Sequence, residues 1–86
     1  MTTWREMLNE SLIEHGEGLA DVVGNTMTDE QMDKDFDSSY GCAEGCPFTV
    51  WTTNRVYFPV VYDGAEWVGS APRNPCDEAT IHHGGQ

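Results

Sequence analysis

The chain has 86 residues, and its fifteen Asp and Glu against four Lys and Arg give a formal net charge of −11. This length fits one domain with one small core, and the charge argues against direct binding to nucleic acid or to an anionic membrane, both of which need clustered cations. No run approaches the roughly 20 apolar residues of a bilayer-spanning helix, and the N-terminus lacks the basic and apolar regions of a signal peptide, so we expect a cytoplasmic protein.

The first predicted element is an amphipathic helix over residues 4–15, within an acidic N-terminal part of about residues 1–40. Thr3 followed by Glu6 matches a capping box at its start. Apolar side chains then recur at helical spacing. Gly16 supplies the left-handed residue on which helices commonly end.

A short helical turn and a second helix are expected next. Leu19, Val22 and Val23 predict the turn, which closes at Gly24. A second capping box, with one methionine just before the cap and another four residues into the helix, predicts a helix over residues 28–36.

The C-terminal half has the composition of strands. Three segments rich in Val, Thr and aromatic residues are separated by turn residues, over 48–53, 55–62 and 65–70. They predict a three-stranded antiparallel meander in a sheet part of about residues 47–72, with the helices packed on it, which is an α+β fold. Pro59 removes a ladder donor, so we expect a bulge or an edge position there. Residues 73–86 are predicted to be a loop and tail.

Acidic side chains recur every three or four residues on the helix faces that point away from the core. They form one row on each helix: Glu6, Glu10, Glu14 and Glu17, then Asp29, Asp33 and Asp37 with Glu30 and Asp35 beside them. Neighbouring carboxylates in such a row lie about 6 Å apart along the axis, which is similar to the separation of successive phosphates in a nucleic-acid strand. Like charges at this spacing destabilise a helix by about 0.2–0.5 kcal/mol per pair, so the rows do not serve the helices themselves.

Two interpretations of the acidic rows stay open. Acidic faces commonly do no more than keep a protein soluble. Alternatively, the rows bind the basic surface of a host nucleic-acid-binding protein, and long-range attraction speeds the encounter. The sequence does not predict an oligomeric state.

A calcium loop is suggested by the spacing of Asp33, Asp35, Asp37 and Glu44. Ser38, however, replaces the glycine that the sharp turn of such a loop requires. A Gly-Cys-Pro sequence follows at once and leaves no room for the exiting helix. We therefore do not expect specific calcium binding.

A zinc site is the second metal alternative. Cys42, Cys46, Cys76 and His82 supply four possible ligands, with His83 able to replace His82. The spacing lacks the paired Cys-x₂-Cys of strong zinc motifs, and three cysteines cannot all pair with one another. Free thiols and no cofactor are the simpler expectation, and a small zinc-binding structural domain is the alternative.

No catalytic apparatus is predicted. The sequence contains no local nucleophile–base signature, no glycine-rich phosphate loop and no paired-histidine metal helix. We therefore expect a protein that is not an enzyme.

The aromatic residues of the strands offer another binding surface. Alternation places Trp51 on the opposite side of its strand from Phe48 and Val50, and Tyr57 opposite Phe58. One set packs under the helices. The other is either an exposed anchor for a partner protein, which makes the chain an accessory interaction module, or it is covered by the N-terminal loop or a second subunit.

Residues 55–75, Arg-Val-Tyr-Phe-Pro-Val-Val-Tyr-Asp-Gly-Ala-Glu-Trp-Val-Gly-Ser-Ala-Pro-Arg-Asn-Pro, resemble short proteins of bacteriophages and mobile elements. In size, charge and architecture the whole chain is similar to phage inhibitors of host defence, including anti-CRISPR and anti-restriction proteins. This resemblance implies an inhibitor in the bacterial cytoplasm that binds a nuclease or CRISPR effector complex where its nucleic acid would bind. It carries over no individual functional residue.

Overall fold

The computed structural model describes residues 2–36, 45–62 and 65–83. Within these ranges the elements are, in order, α1 (Trp4–Glu14), a 3₁₀ helix (Leu19–Asp21), β1 (Val22–Asn25), α2 (Asp29–Asp33), β2 (Val50–Thr52), β3 (Arg55–Tyr62) and β4 (Ala65–Pro72). The predicted α+β class is confirmed. None of the helices in these ranges has the length and apolar character that crossing a bilayer requires.

Helix α1 begins at the predicted cap. The Thr3 hydroxyl accepts a hydrogen bond from the backbone N–H of Glu6 at 3.2 Å, which satisfies one of the N–H groups left open at a helix start. The helix ends at Glu14, and Gly16 follows with a φ of 73°, the left-handed conformation that glycine adopts most easily. Four side chains of one helix face are buried: Trp4, Leu8, Ser11 and Leu12.

Helix α2 has the predicted start but is shorter than predicted. The Thr28 hydroxyl accepts from the Gln31 N–H at 3.1 Å, and the Gln31 side chain accepts from the Thr28 N–H at 2.9 Å. The helix ends at Asp33 instead of residue 36, because the backbone of Phe36 forms two hydrogen bonds with Thr2, of 3.0 and 2.9 Å. These bonds form an antiparallel bridge, which a continuing helix would prevent.

The predicted helical turn that closes at Gly24 is wrong for residues 22–24. The turn ends at Asp21, and strand β1 follows and pairs antiparallel with β2. The β-branched Val22 and Val23 favour extended backbone. A Cβ on Gly24 would lie 3.0 Å from Cε3 of Trp51, so the missing side chain leaves room for that ring. The sheet therefore has four strands rather than the predicted three.

The sheet is antiparallel, with the strand order β1-β2-β3-β4. Strands β3 and β4 pair along their whole length, and Pro59 lies opposite Val68 in this continuous register. Strand β2 pairs with β3 no further than Tyr57. On that side Pro59 faces no strand of the described residues, so it occupies an edge position, as predicted, and its missing N–H leaves no gap in the ladder.

One hydrophobic core lies between the helices and the sheet. Its buried members are Trp4, Leu8, Leu12, Met27, Met32, Phe36, Phe48, Val50 and Tyr57. The ring of Trp4 lies at the centre of these contacts, 4.8 Å from the Phe36 ring and 4.9 Å from the Phe48 ring between centroids. Its Nε1 donates to the carbonyl of Cys46 at 3.0 Å, so the one polar atom of this buried indole has a partner.

The sheet therefore has two distinct sides. On the core face, Val50 and Tyr57 pack with the helices. Alternation along the paired strands places six large side chains on the opposite side, which we call the back face: Trp51, Val56, Phe58, Val60, Tyr62 and Trp67. Both α-helices of the described residues contribute to the core on the first side. The helices thus cover the set that includes Tyr57, and the second aromatic set lies away from them.

Candidate functional site

Three glutamates form an exposed row on α1. Glu6, Glu10 and Glu14 are exposed and recur every four residues, so they lie on one side of the helix, away from the buried side chains. Within the described ranges, none of the three forms an ion pair. Ile13 lies on the same side and is 63% exposed. We call these four residues the acidic face of α1.

Glu17, the predicted fourth member of this row, lies beyond the end of α1 and is partly buried. Its carboxylate accepts a hydrogen bond from the hydroxyl of Tyr57, whose side chain is fully buried in the core. Burial of the Tyr57 side chain is the main reason that its pKa lies above the ordinary value of 10.0, and the hydrogen bond with Glu17 raises the pKa further. Glu17 therefore satisfies a buried hydroxyl instead of extending the exposed row.

The second predicted row is partly neutralised by α1. Arg5 donates to Asp33 through Nε at 2.5 Å and contacts Asp29 through Nη2 at 3.3 Å. The hydrogen bond from Arg5 is the main reason that the pKa of Asp33 lies below its ordinary value. These two aspartates of α2 therefore pair with a cation of α1, so the second predicted row is not a run of free carboxylates.

Glu30, Asp35 and Asp37 are the remaining acids of the second row that do not figure in the contacts of Arg5 described above. Glu30 is exposed in the first turn of α2, where the helix dipole favours a negative charge. Asp37 lies outside the described residues. Among the members of the two predicted rows, the exposed acids without an ion pair in the described ranges are therefore Glu6, Glu10 and Glu14 on α1, Glu30 on α2 and Asp35 after it.

The predicted zinc ligands are placed separately where the structure describes them. Cys46 is partly buried beside Trp4, whereas Cys76 and His82 are exposed after β4. Cys42 lies outside the described residues. Among the residues that are described, no three His, Cys, Asp or Glu side chains are grouped so as to hold a metal ion.

The suggested calcium loop is only partly visible. Asp33 and Asp35 are described, and Asp33 is occupied by Arg5. Asp37, Ser38 and Glu44 fall outside the described ranges.

The structure also assembles a polar cluster that the sequence did not indicate. Arg55 donates to both carboxylate oxygens of Glu78, at 2.8 and 3.0 Å. It also donates to Oγ of Ser70 from Nη2 at 3.0 Å and from Nε at 3.3 Å. The same oxygen lies 2.9 Å from Nε2 of His15. Because Ser70 is buried and held from both sides, these contacts form a structural hydrogen-bond centre.

This cluster attaches residues 73–83, which we call the C-terminal segment, to the sheet. It borders a cavity of about 540 Å³ that His15, His82 and His83 all line. A second attachment lies on the back face, where the ring of His83 meets the ring of Phe58 at 5.4 Å between centroids. The segment therefore contacts both sides of the sheet.

The Arg55–Glu78 pair predicts a pH-dependent attachment of the C-terminal segment. The hydrogen bond from Arg55 is the main reason that the pKa of Glu78 lies below its ordinary value of 4.5. A carboxylate whose pKa is lowered in the folded state stabilises that state above pH 4.5, and this contribution is lost as the pH falls through the folded pKa. We expect Glu78→Gln to increase backbone motion in residues 76–83 at pH 7, and its difference from the wild type to shrink as the pH falls below 4.5 and through the lowered pKa of Glu78.

Nuclear magnetic resonance order parameters for those backbone amides would measure this difference. Asp77→Asn, at the exposed neighbouring position, is the matched control and is expected to leave the order parameters unchanged across the same pH range. A difference between Glu78→Gln and the wild type that stays constant as the carboxylate is titrated below pH 4.5 would contradict the assigned role of the pair.

Comparison of the chain with protein-family models, with curated protein sequences and with solved structures returned no match. The class that the fold defines is an acidic α+β domain with helices on one side of a four-stranded antiparallel sheet.

Proposed function

We propose that this protein is a stoichiometric inhibitor of phage type, which binds a nucleic-acid-handling complex of its bacterial host, such as a CRISPR effector or a nuclease. The acidic face of α1 occupies the basic surface where the nucleic acid of that complex would lie. Binding takes place in the host cytoplasm and requires no cofactor. The observation that carries the proposal is the exposed row of Glu6, Glu10 and Glu14, which has no ion pair within the described ranges.

The spacing of this row suits a surface built to hold phosphates. Carboxylates four residues apart in a helix are separated by about 6 Å along the axis, so Lys and Arg side chains spaced for successive phosphates can meet them in turn. A net charge of −11 adds long-range attraction toward such a surface. This attraction speeds association and makes the affinity depend on ionic strength.

Ile13 gives the acidic face an apolar contact at the edge of its charges. An exposed aliphatic side chain beside a row of carboxylates differs from a uniformly solvated acidic surface, because a partner gains free energy by burying it. At 63% exposure, Ile13 has most of its surface available for such a contact. The combination favours a binding surface over acidity that serves solubility alone.

The proposal is tested by capture from a lysate of the bacterial host. The wild-type protein, Glu10→Gln/Glu14→Gln and Asp35→Asn/Asp77→Asn are immobilised at equal density, and the captured proteins are identified by mass spectrometry. The two variants have the same net charge, but only the first alters the acidic face. We expect the wild type and the Asp35/Asp77 variant to capture the same nucleic-acid-binding protein, and the Glu10/Glu14 variant to lose most of it.

Equal capture by all three proteins would show that the acidic face is not the binding surface. Loss of capture by both variants would show that binding depends on the net charge and not on the position of the carboxylates. Either result would contradict the proposal.

A further inference from the structure

Arg55 forms a receptor for a carboxylate group. Its Nη1 and Nη2 donate to the two oxygens of one carboxylate, at 2.8 and 3.0 Å, which is the paired geometry by which arginine recognises this group. The carboxylate belongs to Glu78 of the C-terminal segment. The Arg55 side chain is only 12% exposed, whereas that of Glu78 is 44% exposed. The receptor is therefore embedded in the domain, and its occupant lies nearer the surface.

Neighbouring groups hold the Arg55 guanidinium in this orientation. Its Nε and Nη2 both donate to Oγ of Ser70, and these two bonds fill the acceptor positions of the hydroxyl. The Ser70 hydroxyl therefore donates its own hydrogen to Nε2 of His15, 2.9 Å away. Arg55 and Ser70 lie on the paired strands β3 and β4, and His15 is the C-cap of α1. Three elements of the fold thus fix the receptor.

The segment that supplies the carboxylate is held less firmly. Residues 75–83 contain no helix or strand, and they form no backbone–backbone hydrogen bond within the described ranges. Glu78 attaches the segment on the core side of the sheet, and His83 attaches it on the back face, against Phe58. Residues 79–82 therefore pass around the outer edge of β4. The carboxylate can leave Arg55 without breaking a helix or a strand.

The receptor borders a cavity of about 540 Å³, which lies between the C-terminal segment, α1 and β4. Arg55 and Ser70 line it with polar groups, and Trp67 and Val68 line it with apolar surface. Cavities of about 300–1,000 Å³ with mainly apolar walls and a few polar groups are typical of small-molecule sites. The Glu78 carboxylate thus lies at the polar wall of a cavity with room for a small molecule.

We propose that this cavity binds a small carboxylic acid with an apolar body. The carboxylate of the ligand takes the place of Glu78 on Arg55, and the body lies against Trp67 and Val68. The class of ligand follows from the group that Arg55 already holds. Glu78 is then an intramolecular competitor, and binding of the ligand releases the C-terminal segment from the core side of the sheet.

The charges of the cavity wall suit a ligand with one negative group. When Glu78 leaves, Arg55 is a largely buried cation without a carboxylate, which is unfavourable unless another anion pairs with it. Glu14 is the second carboxylate that lines the cavity, and it is exposed, so water weakens its interaction with the ligand. A single carboxylate therefore balances the charge of Arg55.

Removal of the competitor should strengthen binding. Glu78 competes at the effective concentration set by its short connection to β4, which is in the millimolar range or above. We therefore expect Glu78→Ala to bind the ligand at least tenfold more tightly than the wild type. Asp77→Ala makes the same change in net charge at the neighbouring position and keeps the competitor, so it should bind like the wild type.

Titration of the full chain with benzoate at constant ionic strength, followed by nuclear magnetic resonance, is the test. We expect saturable shifts of the Arg55 Nε–H and Trp67 indole N–H signals in Glu78→Ala, with a dissociation constant in the millimolar range. Benzyl alcohol, which has the same ring and no charge, should bind at least tenfold more weakly. Equal binding of the two compounds, or no saturable shift with benzoate, would overturn the proposal.

The wild type gives a second measurement that does not depend on the folding of a variant. Benzoate should increase backbone motion in residues 76–83 as it displaces Glu78, whereas benzyl alcohol at the same concentration should not. A segment that stays fixed while benzoate binds would overturn the proposal, and so would equal affinity in the wild type and Glu78→Ala. No partner protein takes part, so these outcomes are separate from those of the capture experiment.

Discussion

Reversing Glu6, Glu10 and Glu14 to lysine is expected to weaken binding to the captured partner by about 100-fold or more, which corresponds to about 2.7 kcal/mol. Three attractive contacts become repulsive, and like charges that face each other across an interface are strongly unfavourable. The carboxylates are exposed and have no ion pair within the described ranges, so their replacement breaks no such pair. Titration calorimetry measures the affinity, and circular dichroism verifies the fold.

The control for this reversal is Asp35→Lys/Asp77→Lys, which changes the net charge by four units instead of six. Both positions are exposed and lie off the acidic face. If net charge alone determined the affinity, the control would show about two-thirds of the loss in binding free energy. We expect it to show much less, and a proportional loss would contradict a localised binding surface.

Replacing Trp4 with alanine is expected to destabilise the fold by about 3–5 kcal/mol, a large part of the 5–15 kcal/mol that separates folded from unfolded domains. Trp4 is 1% exposed and packs against Phe36 and Phe48. The substitution removes these contacts and the donor to the Cys46 carbonyl. Urea denaturation measures the free energy of unfolding.

Ile13→Ala, on the opposite side of the same helix, is the control for Trp4→Ala. Its side chain is mostly exposed, so the free energy of unfolding should change by no more than about 0.5 kcal/mol. The same variant should weaken binding to the partner, because the apolar contact of the acidic face is lost. A cost below about 1 kcal/mol for Trp4→Ala would contradict the central position of this ring in the core.

The starts of the helices were predictable because capping depends on residues three positions apart. Thr3 and Thr28 both accept the hydrogen bonds that their sequence patterns indicate. The end of α2 was not predictable in this way, since it depends on the bridge between Phe36 and Thr2 at the other end of the described segment. Strand β1 was missed because four residues have too little periodicity to separate a strand from a turn.

The acidic face of α1 followed from helical spacing, which fixes a shared side of a helix without tertiary information. The contacts of Glu17 and of Asp33 could not be predicted from helical spacing, because each side chain binds a residue that is distant in sequence. Glu17 contacts Tyr57, 40 residues away, and Asp33 contacts Arg5, 28 residues away. The cluster around Arg55 was missed for the same reason, since its Ser70 and His15 are 55 residues apart.

In the proposed mode of binding, carboxylates of α1 take the place of phosphates on a cationic surface. Competition binding tests this most directly, with a fixed amount of the captured partner and its labelled nucleic acid, titrated with this protein. We predict that the nucleic acid is released in proportion to the protein bound, and that the Glu6, Glu10 and Glu14 reversal needs at least an about 100-fold higher concentration for the same release. A ternary complex in which partner, nucleic acid and this protein are bound together would contradict it.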